Sequence, residues 1–251
     1  MRHIYTIFML EFKSYLSNYV ALFWTIAYPI LMLAFLIGVF EHAHSPLFRF
    51  ASVVGLVMLT LISTAIFGLA QALSDSRAFK ALLFYMATPV SYLEIALAVI
   101  LSRLAIVLGF SALFIVGSFS VLGILPLLKV ELFFLGLLTL SLAGVFCSGL
   151  ALFVVKHFSN TQSMLAISNV LNLYVVMSSN VLVPLQSLPE WSQIFITSSP
   201  FYHLNNMLIA AFSGQNLGYI LGVSGALFGV GALLIFLSAR RELLVTTPKS
   251  R

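Results

Sequence analysis

Charged side chains are scarce in this sequence, and their scarcity limits what the chain can be. Only 7 acidic and 12 basic residues occur among 251, whereas apolar residues make up 61% and the mean hydropathy is +1.12. A soluble domain usually has about 25% charged residues. A fold surrounded by water could not bury this much apolar surface, so a water-soluble domain is excluded.

Cysteine is almost absent as well, and so are the common catalytic and nucleotide-binding motifs. The single Cys147 excludes an intramolecular disulfide and a cysteine metal cluster, and its small neighbours predict a packing role. The sequence has no GxxxxGK[ST] phosphate loop, no HExxH helix, no CxxC pair and no GxSxG elbow. We therefore expect no catalytic, cofactor-binding or metal-binding residues on this chain.

Long runs without charge are the dominant feature that is present. A helix of about 20 residues crosses a hydrocarbon core, and backbone in lipid must satisfy its own hydrogen bonds. The runs lack the alternation of membrane strands. They predict an all-α polytopic membrane protein in which residues 1–251 form one transmembrane domain. Its six predicted spans are 20–40, 50–73, 93–123, 131–155, 162–183 and 216–238.

The distribution of basic residues predicts the orientation. Nine fall on one side of the six-span arrangement, whereas Arg49 and Lys129 fall on the other. The positive-inside rule then places both termini in the cytoplasm. No basic stripe with interleaved aromatics points to nucleic acid. The nine are Arg2, Lys13, Arg77, Lys80, Lys156, Arg240, Arg241, Lys249 and Arg251.

Residues 1–19 have an amphipathic pattern, with Ile4, Phe8, Phe12 and Tyr15 at helical spacing. We expect a helix lying in the membrane interface rather than an extension of the first span, which would carry charges into hydrocarbon.

Polar residues within the predicted spans suggest functional positions. The fifth span is unusually polar, and unpaired amides in lipid are costly, so these residues should face protein or an aqueous path. Lining of a transport pathway and ordinary hydrogen bonding between helices both remain open for them. The candidates are Gln162, Asn169, Asn172, Ser178, Ser179 and Asn180.

The third span contains the one deep ionisable residue, Arg103. We see no intramembrane partner of opposite charge for it, and we expect it to snorkel to the interface rather than bind substrate. In the sixth span the glycines repeat at steps of four, three and four, which predicts a helix-packing face formed by Gly218, Gly222, Gly225 and Gly229.

Residues 75–88 have a capped start and end before Pro89, which predicts a short cytoplasmic helix. Its apolar Phe79, Leu82, Leu83 and Met86, steered by basic Arg77 and Lys80, suit a groove on a soluble partner. A loop helix resting on the membrane surface is the alternative.

The whole sequence resembles the membrane-spanning subunits of type-2 ABC exporters, which move drugs, lipids or polysaccharides. The run Leu82-Leu83 to Met86-Ala87-Thr88-Pro89 is similar to that family's coupling helix. Residues 184–200, with Pro184, Pro189, Trp191 and Pro200, resemble its re-entrant extracellular hairpin between spans five and six. Where many relatives have an acidic residue late in the coupling helix, Phe84 and Tyr85 stand here.

The resemblance implies a permease in the cytoplasmic (inner) membrane of a prokaryote that works as a homodimer or with a related permease. It also implies a nucleotide-binding ATPase subunit that holds ATP and magnesium on a separate chain. A secondary transporter and a non-transport membrane assembly subunit are the alternatives. For Trp191 and His203 we expect a structural role in the outer hairpin, with a metal site of His42, His44 and His203 as the alternative.

Overall fold

The computed structural model describes residues 2–39, 45–69, 72, 91–158, 161–182, 185 and 188–245, and in these ranges the chain is helical without strands. The helices are α1 (Arg2–Leu16), α2 (Tyr19–Val39), α3 (Pro46–Leu69), α4 (Tyr92–Val121), α5 (Val130–His157), α6 (Thr161–Ser178), α7 (Glu190–Thr197), α8 (Pro200–Ser213) and α9 (Leu217–Val245). The all-helical prediction is confirmed for the described residues.

Five of these helices are long and apolar enough to cross a membrane: Tyr19–Val39, Pro46–Leu69, Leu93–Val121, Val130–His157 and Leu217–Ser238. They overlap five of the six predicted spans. The remaining span, 162–183, corresponds to the 18-residue helix α6, which is not among the five because its amides and hydroxyls lower its apolar content. The chain is thus a helical membrane protein with five such helices among its described residues.

The N-terminal segment forms a helix of its own. α1 ends at Leu16, and the Asn18 side chain then accepts hydrogen bonds from the backbone N–H groups of Val20 and Ala21 at the start of α2. That side-chain cap satisfies donors that a helix start leaves free. Residues 2–39 therefore form two separate helices and not the single extended span that was the alternative. α1 packs against α4.

The centre of the bundle is α3, whose residues from Phe50 to Ile62 are almost all buried. Its apolar side chains meet α4, α5 and α8 in one continuous core that includes Val57, Phe119, Leu140 and Phe212. The pairing of α5 with α9 depends on glycine. A Cβ added to Gly149 would lie 2.6 Å from the carbonyl oxygen of Gly231, so these two helices approach backbone to backbone.

The predicted glycine face of the sixth span does not make this contact. No atom of the described residues lies within 4 Å of a Cβ added at Gly222, Gly225 or Gly229, and all three glycines are exposed. The same is nearly true of Gly218, where only the side-chain oxygen of Asn216 comes within 3.9 Å. Regular spacing identified a stripe of small residues, but within this chain the close approach occurs at Gly231.

Two helices, α7 and α8, occupy the region of the predicted outer hairpin and extend beyond it to Ser213. The Ser199 hydroxyl caps α8 by accepting from the backbone N–H of Phe201, and Gly214 ends it with a φ of 74°, which favours glycine. Half of the residues of α8 are buried, including Leu204, Met207 and Leu208. Pro184 lies outside the described residues.

Candidate transport cavity

A cavity of about 820 Å³ lies between α1, α2, α3, α4 and α6. Its size falls in the range of pockets that hold small-molecule ligands, roughly 300–1,000 Å³. Eight lining residues are polar and uncharged, four are aromatic, two form an ion pair and six are aliphatic or glycine. The polar ones are Ser14, Asn18, Thr25, Thr60, Ser63, Thr64, Asn169 and Asn172, and the aromatic ones are Tyr15, Trp24, Tyr28 and Phe67.

The ion pair joins α1 to α4 at the cavity wall. Arg103 donates from Nη2 to Oε2 of Glu11 at 2.9 Å and from Nη1 to the Glu11 carbonyl oxygen at 3.1 Å. Its guanidinium carbon lies 4.7 Å from the centre of the Tyr15 ring, a cation–π contact. The Arg103 side chain is only 7% exposed and is held by a carboxylate of α1, the helix expected in the interface.

This pair also removes one sequence-based argument against a secondary transporter, namely that no charges of opposite sign meet between the helices. The partner was missed because Glu11 and Arg103 are 92 residues apart and α1 was expected to lie in the interface, away from the spans. Glu11 is the only acidic residue between Arg2 and Phe40 in the sequence, and this was the available sequence signal for a partner of Arg103.

Tyr15, whose ring lies against Arg103, also begins a chain of hydrogen bonds that reaches α2. The Thr25 hydroxyl donates to the carbonyl oxygen of Ala21 at 2.9 Å, so the Tyr15 hydroxyl is the donor in its 2.6 Å bond to Thr25. Arg103, Tyr15 and Thr25 thereby connect three helices along one side of the cavity. Buried polar groups that are satisfied in this way fix the relative position of the helices that carry them.

Two stretches of π-helix face this region, one at Phe23–Ala27 in α2 and one at Thr64–Leu69 in α3. Both contribute lining residues, including Thr25 and Gly68. A Cβ added at Gly68 would lie 3.4 Å from the Tyr15 ring and 3.7 Å from the Arg103 side chain. π-Helical turns within α-helices are frequent at functional sites, which agrees with a functional cavity here.

The structure divides the predicted pathway residues of α6 into two groups. Asn169 and Asn172 line the cavity, and Asn172 Oδ1 accepts from the Ser63 hydroxyl at 3.2 Å, which joins α6 to α3. Gln162 is exposed and does not belong to the lining.

The second group lies at the end of α6 and faces α8 instead. Ser178 Oγ accepts from the Ser199 hydroxyl at 3.0 Å, and the Asn205 amide donates to the Ser179 carbonyl oxygen at 3.1 Å. Asn180 follows in the left-handed region with a φ of 57°. Of the two roles left open for these polar residues, the hydrogen bonds of Ser178 and Ser179 match contact between helices.

Two further predicted positions, Trp191 and His203, are described and lie outside the cavity lining. His203 lies on α8, with Nδ1 3.1 Å from the Tyr219 hydroxyl of α9, and Trp191 on α7 is 75% exposed. His42 and His44 lie outside the described residues. The predicted ATPase-coupling residues also lie outside them: Arg77, Phe79, Lys80, Leu82, Leu83, Met86 and Pro89.

The family model described as ABC-2 type transporter matches residues 2–213, a range that contains every residue of the cavity wall. A search of curated proteins found no match. Because the family model covers most of the chain, this multi-pass membrane protein belongs to the ABC-2 type transporter family and is a permease.

Proposed function

We propose that this chain is the permease of an ATP-driven exporter and that its cargo passes through the cavity between α1, α2, α3, α4 and α6. The observation that carries the proposal is the cavity wall itself. It combines aromatic surface from Trp24, Tyr28 and Phe67 with amides from Asn169 and Asn172. Such a wall suits an amphiphilic drug, a lipid or a polysaccharide carried on a lipid.

The energy for transport comes, in this proposal, from a separate ATPase subunit that binds ATP and Mg²⁺. Residues 1–251 contain no phosphate-binding loop, and we assign hydrolysis to that separate subunit. Residues 75–88 would be the coupling helix, with Phe79, Leu82, Leu83 and Met86 seated in a groove of that ATPase. The segment between α3 and α4 suits this role because it adjoins the end of α3, which contributes Phe67 and Gly68 to the cavity.

We further propose six spans, with α6 as the fifth, and both termini in the cytoplasm of a prokaryotic cell. An 18-residue helix reaches about 27 Å, close to the thickness of a hydrocarbon core. The polar residues of α6 are acceptable there if they face the cavity and α8 rather than lipid. α7 and α8 would then be the re-entrant hairpin on the outer side, and α1 the interfacial helix on the inner side.

A homodimer, or a pair with a related permease, completes the proposed assembly. The exposed stripe of Gly218, Gly222, Gly225 and Gly229 allows a neighbouring helix to approach α9 closely, and no such neighbour lies within 4 Å in the described part of this chain.

The proposal is tested by purifying the tagged chain from its native membrane together with the proteins bound to it. We expect a Walker-type ATPase among them and ATP hydrolysis by the complex in liposomes. Filling the cavity with Ser63→Phe should abolish the stimulation of ATP hydrolysis by transported cargo. Leu138→Phe, at a position of α5 that is 58% exposed, should not abolish it. Equal activity of both variants would contradict a pathway through this cavity.

A further inference from the structure

The electrical charge of the cavity wall has consequences for what the cavity can hold. Among its 20 described lining residues, only Glu11 and Arg103 are formally charged at neutral pH. These two groups are 2.9 Å apart, so their charges cancel within the wall. Arg103 uses both terminal nitrogens on Glu11, and its guanidinium face is covered by Tyr15. Each charge of the pair is therefore already compensated by the other before a ligand binds.

The uncharged groups of the wall retain hydrogen-bonding capacity. The Asn18 side-chain oxygen accepts hydrogen bonds from the start of α2, and the Asn172 side-chain oxygen accepts one from Ser63. The amide nitrogens of both side chains are therefore left as donors. The Asn169 side chain makes no hydrogen bond to another described residue. These amides can bind hydroxyl or carbonyl oxygens of a ligand.

An aromatic surface stands beside these amides. The rings of Trp24 and Tyr28 are 5.4 Å apart, and Phe67 lines the cavity from α3. Aromatic faces bind apolar chains and the flat faces of sugar rings through contact area, without requiring charge. The wall thus offers one apolar surface and one surface of neutral hydrogen-bonding groups.

A charged ligand would lose its hydration in this cavity and gain no opposite charge. We propose that Glu11 and Arg103 are a specificity-determining pair that keeps the cavity neutral, so that its cargo is an uncharged amphiphile with a hydroxyl- or amide-bearing head. This inference rests on the proposed function, because the cavity must first be the place where cargo binds. It names the class of cargo, which membership of the family leaves open.

Trp24 provides a direct assay of binding. In a Trp191→Phe background it is the only tryptophan of the chain, and it lies in the cavity wall. Three nitroxide-labelled amphiphiles with the same dodecyl chain, bearing a glucoside, a trimethylammonium or a sulfate head, are titrated against the protein in lipid nanodiscs. Quenching that remains in Ser63→Phe protein is subtracted, because it comes from probe in the surrounding lipid.

We expect quenching by the glucoside to saturate at a concentration at least about tenfold lower than quenching by either charged probe. An uncompensated charge in a partly buried site lowers the affinity by about that factor. Glu11→Gln leaves a positive wall and should move the preference to the sulfate. Arg103→Gln leaves a negative wall and should move it to trimethylammonium. The controls Glu131→Gln and Lys129→Gln change the same charges at exposed positions and should preserve the wild-type order.

The double variant Glu11→Gln, Arg103→Gln restores neutrality without the ion pair and should again prefer the glucoside. It keeps the test decisive if a single variant, which leaves one charge unpaired, fails to fold. If the wild-type protein prefers a charged probe, the neutral-cavity inference is wrong, while the proposed transport pathway is unaffected. Loss of all binding in the double variant also contradicts the inference and leaves the proposed pathway unaffected. No saturable quenching by any probe contradicts the cavity as a cargo site, and with it both proposals.

Discussion

Gly225 and Gly231 lie six residues apart on α9 but in opposite surroundings. A Cβ at Gly231 would lie 2.5 Å from the Cα of Phe146 on α5, whereas a Cβ at Gly225 would have no described residue within 4 Å. Carbon atoms prefer a separation of about 3.5–4.0 Å, so the added methyl at Gly231 must push two backbones apart.

Gly231→Ala should therefore lower the melting temperature of the purified protein, with a loss of about 1–3 kcal/mol typical of overpacking. Gly225→Ala is the matched control and should leave stability unchanged or raise it slightly, because alanine favours helix over glycine by up to about 1 kcal/mol. Thermal unfolding followed by intrinsic fluorescence measures both. A lower melting temperature for Gly225→Ala than for Gly231→Ala would contradict the described packing of α5 against α9.

Tyr15 joins two interactions that a single substitution can separate. Tyr15→Phe keeps the ring over Arg103 but removes the hydroxyl that donates to Thr25. We expect a loss of about 0.5–1.5 kcal/mol, the usual net value of a hydrogen bond. Tyr5→Phe is the control, since Tyr5 lies on the same helix and is 63% exposed. Unfolding in the same detergent compares them, and equal stability of the two variants would argue against a fixed hydrogen bond between α1 and α2.

At the scale of single residues, the sequence indicated which helix positions need polar surroundings, but it did not indicate which residues they contact. The polarity of α6 directed attention to Asn169 and Asn172, which line the cavity, because amides are rare in membrane helices and need a polar surrounding. It did not distinguish them from Ser178 and Ser179, since that depends on which helix lies opposite. The partner of Arg103 was missed for the same reason: an ion pair between residues 92 positions apart is a property of packing.

At the scale of elements, the loop between α3 and α4 has the strongest predicted role. If residues 75–88 are the coupling helix, Leu82→Asp with Leu83→Asp should abolish co-purification of the ATPase. Burying a leucine-sized side chain contributes roughly 1.5–3 kcal/mol, so the loss of two such contacts would break an ordinary interface. The double mutant should still insert in the membrane but should export nothing.

The matched control for this variant lies in the turn between α4 and α5. Leu125→Asp with Leu127→Asp makes the same chemical change in a short exposed 3₁₀-helix, on the side proposed to face outward. It should retain the ATPase. Retention of the ATPase and of transport by the Leu82, Leu83 variant would show that this loop does not couple the two subunits.

The helices themselves were largely predictable, whereas their boundaries with polar segments were not. Apolar runs longer than about 20 residues leave few alternatives to a membrane helix, which is why five spanning helices overlap predicted spans. The extent of α8 was not expected, because Asn205 and Asn206 interrupt its apolar pattern. Burial of Leu204, Met207 and Leu208 against the core outweighs that interruption.

At the scale of the whole molecule, the bias of basic residues predicts that both termini face the cytoplasm. In a Cys147→Ala background, a cysteine at Ser45 should react with an impermeant maleimide on intact cells, and one at Ser250 should react only after the membrane is opened. Positive charges are retained on the cytoplasmic side during insertion, and nine of the basic residues fall there in this arrangement. The reverse pattern of labelling would invert the topology and remove the basis for an inward-facing coupling helix.

The central claim is that the cavity between α1, α2, α3, α4 and α6 belongs to a pathway driven by ATP. The most direct measurement is the rate at which a charged methanethiosulfonate reagent labels a cysteine placed at Ser63, in membranes that contain the complete complex and lack Cys147. We predict that ATP with Mg²⁺ changes this rate several-fold, because reorientation of the permease changes access to the cavity wall, while a cysteine at Leu125, exposed in the turn between α4 and α5, reacts at one rate in both conditions. A rate at Ser63 that is the same with and without ATP, in a complex that hydrolyses ATP, would contradict the claim.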